Sequence, residues 1–253
     1  MAVKVIIKED YHEMSCAAAH FIESKIVENP GAVLGLATGG TPLATYEELV
    51  KGYKEGKVSY RQACTLNLDE YVGLEEDHPQ SYHYFMREKL FDHIDIDASN
   101  THLPNGNAEN INHECQRYEG LNDEIGPPDL QVLGIGINGH IGFNEPGTSF
   151  DSTTHVVTLT ESTRKANARF FPTPEDVPTH SITMGIRSIL KSKQIILLAS
   201  GEDKAPAIQR LLEGDIDEAF PASALKNHPD VTLIVDESAY QGVVQGRSRS
   251  HAE

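Results

Sequence analysis

Residues 33–53 read VLGLATGGTPLATYEELVKGY: an apolar run of strand length, a turn with two glycines, and an amphipathic stretch of helix length. A short continuous apolar run is the pattern of a strand buried on both faces, as in a parallel sheet. Pro42 is predicted at the first helical position, with Leu49 and Tyr53 following on the same helix. Working outward, Met14, Ala18, Phe21, Ile22 and Ile26 recur at three- and four-residue steps and predict a helix over residues 10–28, stopped by Asn29-Pro30-Gly31. Residues 63–68 predict the next strand, ending at Asp69. Ser81 is placed to cap a short helix through Leu90. Ile111, Cys115, Tyr118, Leu121 and Ile125 share one face of another helix, ended by Pro127-Pro128. Residues 130–137, 194–199 and 231–235 predict further strands. Strands alternating with helices imply βαβ units, hence one α/β domain over residues 1–244. Residues 149–183, richer in Thr, Ser, charge and proline, are expected to leave the sheet as a lid. Residues 245–253 lack apolar periodicity and are expected to be a frayed, disordered tail.

The 253 residues carry 21 Lys and Arg against 38 Asp and Glu, a net charge of −17. That balance repels a phosphate backbone and anionic membrane surfaces, so neither nucleic acid nor membrane is an expected partner. No stretch approaches the roughly 20 apolar residues of a membrane span, and charge enters MAVKVIIKED too early for a secretory signal. A cytoplasmic protein is expected. Cys16, Cys64 and Cys115 are odd in number and widely spaced, so neither a disulfide framework nor a metal site is suggested.

Ligands of open parallel sheets bind beyond the carboxyl ends of the strands, which directs attention to the turns that follow them. Thr38, Gly39, Gly40 and Thr41 join a strand to a helix, where backbone N–H groups and the helix dipole favour an anion such as phosphate; an ordinary turn with two permissive glycines explains them equally well. The turn at residues 38–41 forms neither nucleotide-binding glycine fingerprint; Gly134, Gly136 and Gly139 do have the G-x-G-x-x-G spacing, but the motif's helix is not expected after them, which discounts a dinucleotide site. Asp69-Glu70-Tyr71 sets two carboxylates at a strand end, either a general base with a raised pKa or a solvated acidic turn. His78, His83, His93 and His102 have no metal spacing and read as surface or structural histidines. GIGINGHIGFNEPG, residues 134–147, brings Asn138, His140 and Glu145 together within eight residues. A carboxylate beside an imidazole can orient it and stabilise its charged form, a pair suited to moving a hydroxyl proton. Arg169 and Lys204 are cations that could bond a phosphate, though either alone is more often a solvated side chain.

LATGGTP, NLDEYVGL, GIGINGHIGFNEPG, TRKANARFF and SGEDKA, in this order along nearly the whole chain, resemble the glucosamine-6-phosphate deaminases. The resemblance implies a Rossmann-like, doubly wound, mostly parallel sheet with a lid insertion. It implies conversion of glucosamine 6-phosphate and water to fructose 6-phosphate and ammonia, with no metal and no cofactor. By the same resemblance His140, with Glu145 and Asn138, opens the sugar ring. Asp69 carries the C2 proton to C1, and Thr38, Gly39, Gly40, Thr41, Arg169 and Lys204 hold the phosphate. Glu145 favours the deaminases over the related 6-phosphogluconolactonases.

Asn138 stands where some members of the family carry Asp, and an amide orients a histidine rather than relaying its proton. Members activated by N-acetylglucosamine 6-phosphate carry an Arg and a Lys where this chain has His155 and Val157, so that activation is not expected. The short C-terminal segment implies a monomer or small homo-oligomer. Two alternatives remain: a lactonase-type hydrolase, with no use for Asp69 as a carbon base, and a sugar-phosphate sensor without turnover.

Overall fold

The computed structural model describes residues 3–168 and 171–250. In chain order the elements are β1 (Lys4–Lys8), α1 (Tyr11–Glu28), β2 (Val33–Leu36), α2 (Leu43–Lys54), β3 (Cys64–Asn67), β4 (Asp69–Tyr71), α3 (Tyr82–Lys89), β5 (Thr101–His102) and α4 (Ile111–Ile125). They continue with β6 (Leu130–Gly134), β7 (His155–Thr158), α5 (Glu161–Asn167), β8 (His180–Thr183), α6 (Ile186–Leu190), β9 (Ile195–Ala199), α7 (Ala205–Glu213), β10 (Val231–Asp236) and α8 (Glu237–Ser250). Seven strands form one sheet in the order β1-β10-β9-β6-β2-β3-β5, with every pair parallel.

Both faces of this sheet are covered, which is why its strands read as apolar runs rather than alternations. Val33, Leu66, Leu133, Leu197 and Leu233 point to one face and pack with Tyr118 of α4, Ile208 of α7 and Ala239 of α8. Their chain neighbours Leu34, Val132, Ile196, Leu198 and Ile234 point to the other, against Met14 and Ile22 of α1 and Leu49 of α2. Helix ends follow local chemistry: the side chains of Asp10, Ser81 and Asn110 accept hydrogen bonds from Glu13 N, Tyr84 N and His113 N.

The chain winds outward from β2 through β3 to β5, then returns to β6 on the other flank of β2. The carboxyl ends of β2 and β6 therefore border the crevice where strand order reverses. The loops after β2, β3, β6 and β9 converge there.

Several expectations are corrected. Pro42 occupies the cap of α2 rather than its first turn. The strand predicted to reach residue 137 ends at Gly134, which frees the glycine-rich stretch as a loop. Strand β1 lies at the sheet edge and carries a lysine at each end, so its sequence reads as a charged terminus. Residues 149–183, expected as a lid, build most of a second, three-stranded sheet in which β8 pairs antiparallel with β4 on one side and with β7 on the other. Helix α8 extends to Ser250, into the stretch from Gln245 expected as a tail, and residues 251–253 of that stretch lie outside the described residues.

Candidate active site

A cavity of about 370 Å³ opens at the strand-order reversal, with Thr38, Gly39, Gly40, Thr41, Asp69, His140 and Lys204 in its wall. Asn138 and Glu145 stand behind His140, while Arg169 lies outside the described residues.

The turn after β2 is supported from α1. Tyr11 Oη lies 2.9 Å from the Gly40 carbonyl and 3.1 Å from that of Thr41, and it accepts from Ala44 N. Gly39 holds φ at +94°, a conformation that a side chain disfavours. Across the crevice, Asp236 pins the turn after β9: Ser200 Oγ and Gly201 N donate to its carboxylate. This turn delivers Lys204, the cation that lines the cavity among the described residues.

The stretch after β6 builds a chain of hydrogen bonds with fixed direction. Asn138 Nδ2 donates to Glu145 Oε2 at 2.7 Å, so Asn138 Oδ1 must face the other way. That oxygen lies 2.8 Å from His140 Nδ1 and also accepts from His140 N at 3.2 Å. Because Oδ1 can only accept, Nδ1 carries the hydrogen and the lone pair of the neutral ring is left on Nε2. Burial lowers the His140 pKa and so does Lys204, whereas Glu145, 3.8 Å from Nδ1, raises it; the balance is a depressed value that favours neutral imidazole. Gly136 is required here, since a Cβ would stand 2.2 Å from the His140 ring.

Asp69 and Glu70 are adjacent, yet their surroundings give them opposite roles. Glu70 is saturated: it accepts from the backbone N–H groups of Tyr71, Tyr82 and His83 and pairs with His83 Nδ1 at 2.7 Å. It secures the start of α3. Asp69 is buried, lines the cavity, and takes no side-chain hydrogen bond from the described residues. Burial, reinforced by the nearby charge of Glu70, pushes its pKa up to about 8. Its register partner across β4 and β8 is Thr183, whose hydroxyl accepts from Phe143 N and so ties the second sheet to the His140 loop.

Tyr82 and Thr163 complete the wall, and neither was singled out from the sequence. The Tyr82 ring stacks on Phe143, with centroids 6.3 Å apart and planes 4° apart. Thr163, the first residue of TRKANARFF, donates to Glu145 Oε1 at 3.4 Å and brings the start of α5 against the proton-handling group. No local pattern marks Tyr82, whereas Thr163 sits inside a segment that does carry family resemblance.

The assembly offers a neutral imidazole on an oriented amide, a high-pKa carboxylic acid, and an anion-favouring turn beside a cation. Residues 9–234 match the family model described as glucosamine-6-phosphate isomerases/6-phosphogluconolactonase. The chain is 54% identical over 237 residues to a glucosamine-6-phosphate deaminase of Thermoanaerobacter pseudethanolicus, covering 94% of each chain. It is likewise 54% identical over 237 residues to glucosamine-6-phosphate deaminase 1 of Bacillus subtilis, covering 94% of this chain and 98% of that one. A solved structure described as a monomeric glucosamine-6-phosphate deaminase superposes with a TM-score of 0.93 at 53% identity, covering 95% of this chain and all of the other (100%). The 6-phosphogluconolactonase of Trypanosoma brucei, at 19% identity and a TM-score of 0.74, shares the fold; it covers 94% of this chain and 98% of its own. This chain belongs to the family of glucosamine-6-phosphate isomerases and 6-phosphogluconolactonases.

Proposed function

We propose that the protein is a glucosamine-6-phosphate deaminase, converting glucosamine 6-phosphate and water to fructose 6-phosphate and ammonia. The observation that carries this reading is the buried, hydrogen-bond-poor Asp69 in the same cavity as the Asn138-oriented His140. Hydrolysis of a lactone breaks no C–H bond and has no use for such a carboxylate.

The substrate phosphate is placed at Thr38, Gly39, Gly40 and Thr41, with Lys204 and Arg169 as its cations. Binding energy from this remote group holds C1 and C2 in place for reaction. His140 Nε2 takes the proton of the C1 hydroxyl and gives it to the ring oxygen, opening the ring to the aldehyde. Glu145 stabilises the imidazolium that forms in between. With C1 now a carbonyl, the C2 hydrogen is acidic enough for Asp69 to remove as carboxylate, leaving an enolamine across C1 and C2. Return of that proton to C1 leaves an iminium at C2, which water hydrolyses to the ketone and ammonia. A monomer or small homo-oligomer is supported by the 53% identical structure, described as monomeric. Absence of activation by N-acetylglucosamine 6-phosphate is supported by the neutral Val157 and by His155 at the start of β7.

The test is release of ammonia and fructose 6-phosphate from glucosamine 6-phosphate by the purified protein in chelator. Equal amounts of both products are expected. Binding without release, or turnover of 6-phosphogluconolactone instead, would overturn the reading.

A further inference from the structure

Away from the cavity, α1 and α2 bring together His12, Cys16 and Glu48, whose ligand atoms all lie within 4.8 Å of one another. Among the described residues this is the one such cluster of three His, Cys, Asp or Glu side chains. His12 and Cys16 are four residues apart on α1 and so share a face, with His12 Nε2 3.7 Å from Cys16 Sγ. A tetrahedral zinc ion with Zn–N and Zn–S bonds of about 2.0 and 2.3 Å would hold these two atoms about 3.6 Å apart. Glu48 approaches from α2, and a cavity of about 70 Å³ lined by Cys16 and Glu48 opens alongside, with room for water to complete the coordination.

We infer that His12, Cys16 and Glu48 form a binding site for a single thiophilic divalent cation of the zinc class, stapling α1 to α2. One thiolate, one imidazole and one carboxylate select zinc over magnesium or calcium, which prefer oxygen ligands throughout. Binding forms the metal–sulfur bond and releases the Cys16 proton to solvent. Glu13 and Asp10 add negative charge near Cys16, whereas Lys51 opposes it and pairs with Glu48 Oε2 at 3.4 Å. The ion must therefore displace Lys51, and an affinity below that of four-ligand structural zinc sites follows. The site is independent of the deaminase reading, and its three ligands are separate from the residues assigned to catalysis.

The test is titration of chelator-stripped, full-length protein with Co²⁺. One equivalent is expected to produce thiolate-to-cobalt charge-transfer absorption in the near ultraviolet, with visible bands of a tetrahedral ion, and one equivalent of Zn²⁺ to abolish both. C16S is expected to remove the charge-transfer band, H12Q and E48Q to weaken binding at least tenfold, and C64S to change nothing. As a readout on the unmutated protein, one equivalent of Zn²⁺ is expected to slow alkylation of Cys16, mapped by peptide, at least tenfold. A missing band, a band that survives C16S or disappears in C64S, or unslowed alkylation would overturn the site.

Discussion

Asn138 Oδ1 sits 2.8 Å from His140 Nδ1, and its orientation is dictated from behind by Glu145, which accepts from Asn138 Nδ2. The amide thus transmits the position of a carboxylate to an imidazole without itself exchanging a proton. Asn138→Ala should let the ring turn and lower kcat by about 100-fold, within the range general acid–base groups contribute. Asn138→Asp should instead raise the His140 pKa, moving its limb of the pH–rate profile upward. A pH profile of each variant checks both outcomes.

Gly136 leaves no space for a side chain beside that ring, since its Cβ would lie 2.2 Å from His140 atoms. Gly136→Ala should keep the fold, measured by circular dichroism, yet cut kcat on the closed-ring substrate by about 100-fold through displacement of the imidazole.

Asp69, pushed up to about 8 by burial and by Glu70, is mostly protonated in the free protein at neutral pH. A general base must be ionised, so kcat/KM should rise as pH climbs through about 8. The ammonium group of bound substrate favours the carboxylate, so the corresponding limb of kcat should lie at lower pH. Stability has the opposite sign. Between the unfolded Asp value of about 4 and the folded value, the native state holds the extra proton, so this group destabilises the fold as pH rises. Asp69→Asn should therefore raise the melting temperature more at pH 9 than at pH 5.

Lys204 lines the cavity and enters no ion pair within the described residues, which leaves its charge available to an anion. Lys204→Gln should raise KM for the sugar phosphate by about 10- to 100-fold, as expected for loss of a charge-assisted hydrogen bond, with a smaller change in kcat. Steady-state kinetics at fixed ionic strength separates the two.

The parallel sheet was legible because burial on both faces leaves an unmistakable mark on short runs such as residues 33–36 and 195–199. The second sheet was not, because β4 is three residues long and owes its existence to partners at Ser181, Ile182 and Thr183, far along the chain. The same long-range pairing separates Asp69 from Glu70, which adjacent positions in the sequence present as equivalent carboxylates. Asn138, His140 and Glu145 could be read together since one loop carries all three, while Tyr82 enters the wall only through the packing of α3 on the Phe143 loop.

The most direct test of Asp69 as the carbon base uses glucosamine 6-phosphate deuterated at C2, followed by mass spectrometry of substrate and product. The unmutated protein should remove the label from C2, delivering it to C1 or to solvent, and Asp69→Asn should bind the sugar phosphate while leaving the label in place. Loss of the C2 label from that variant at a rate near that of the unmutated protein would contradict the assignment.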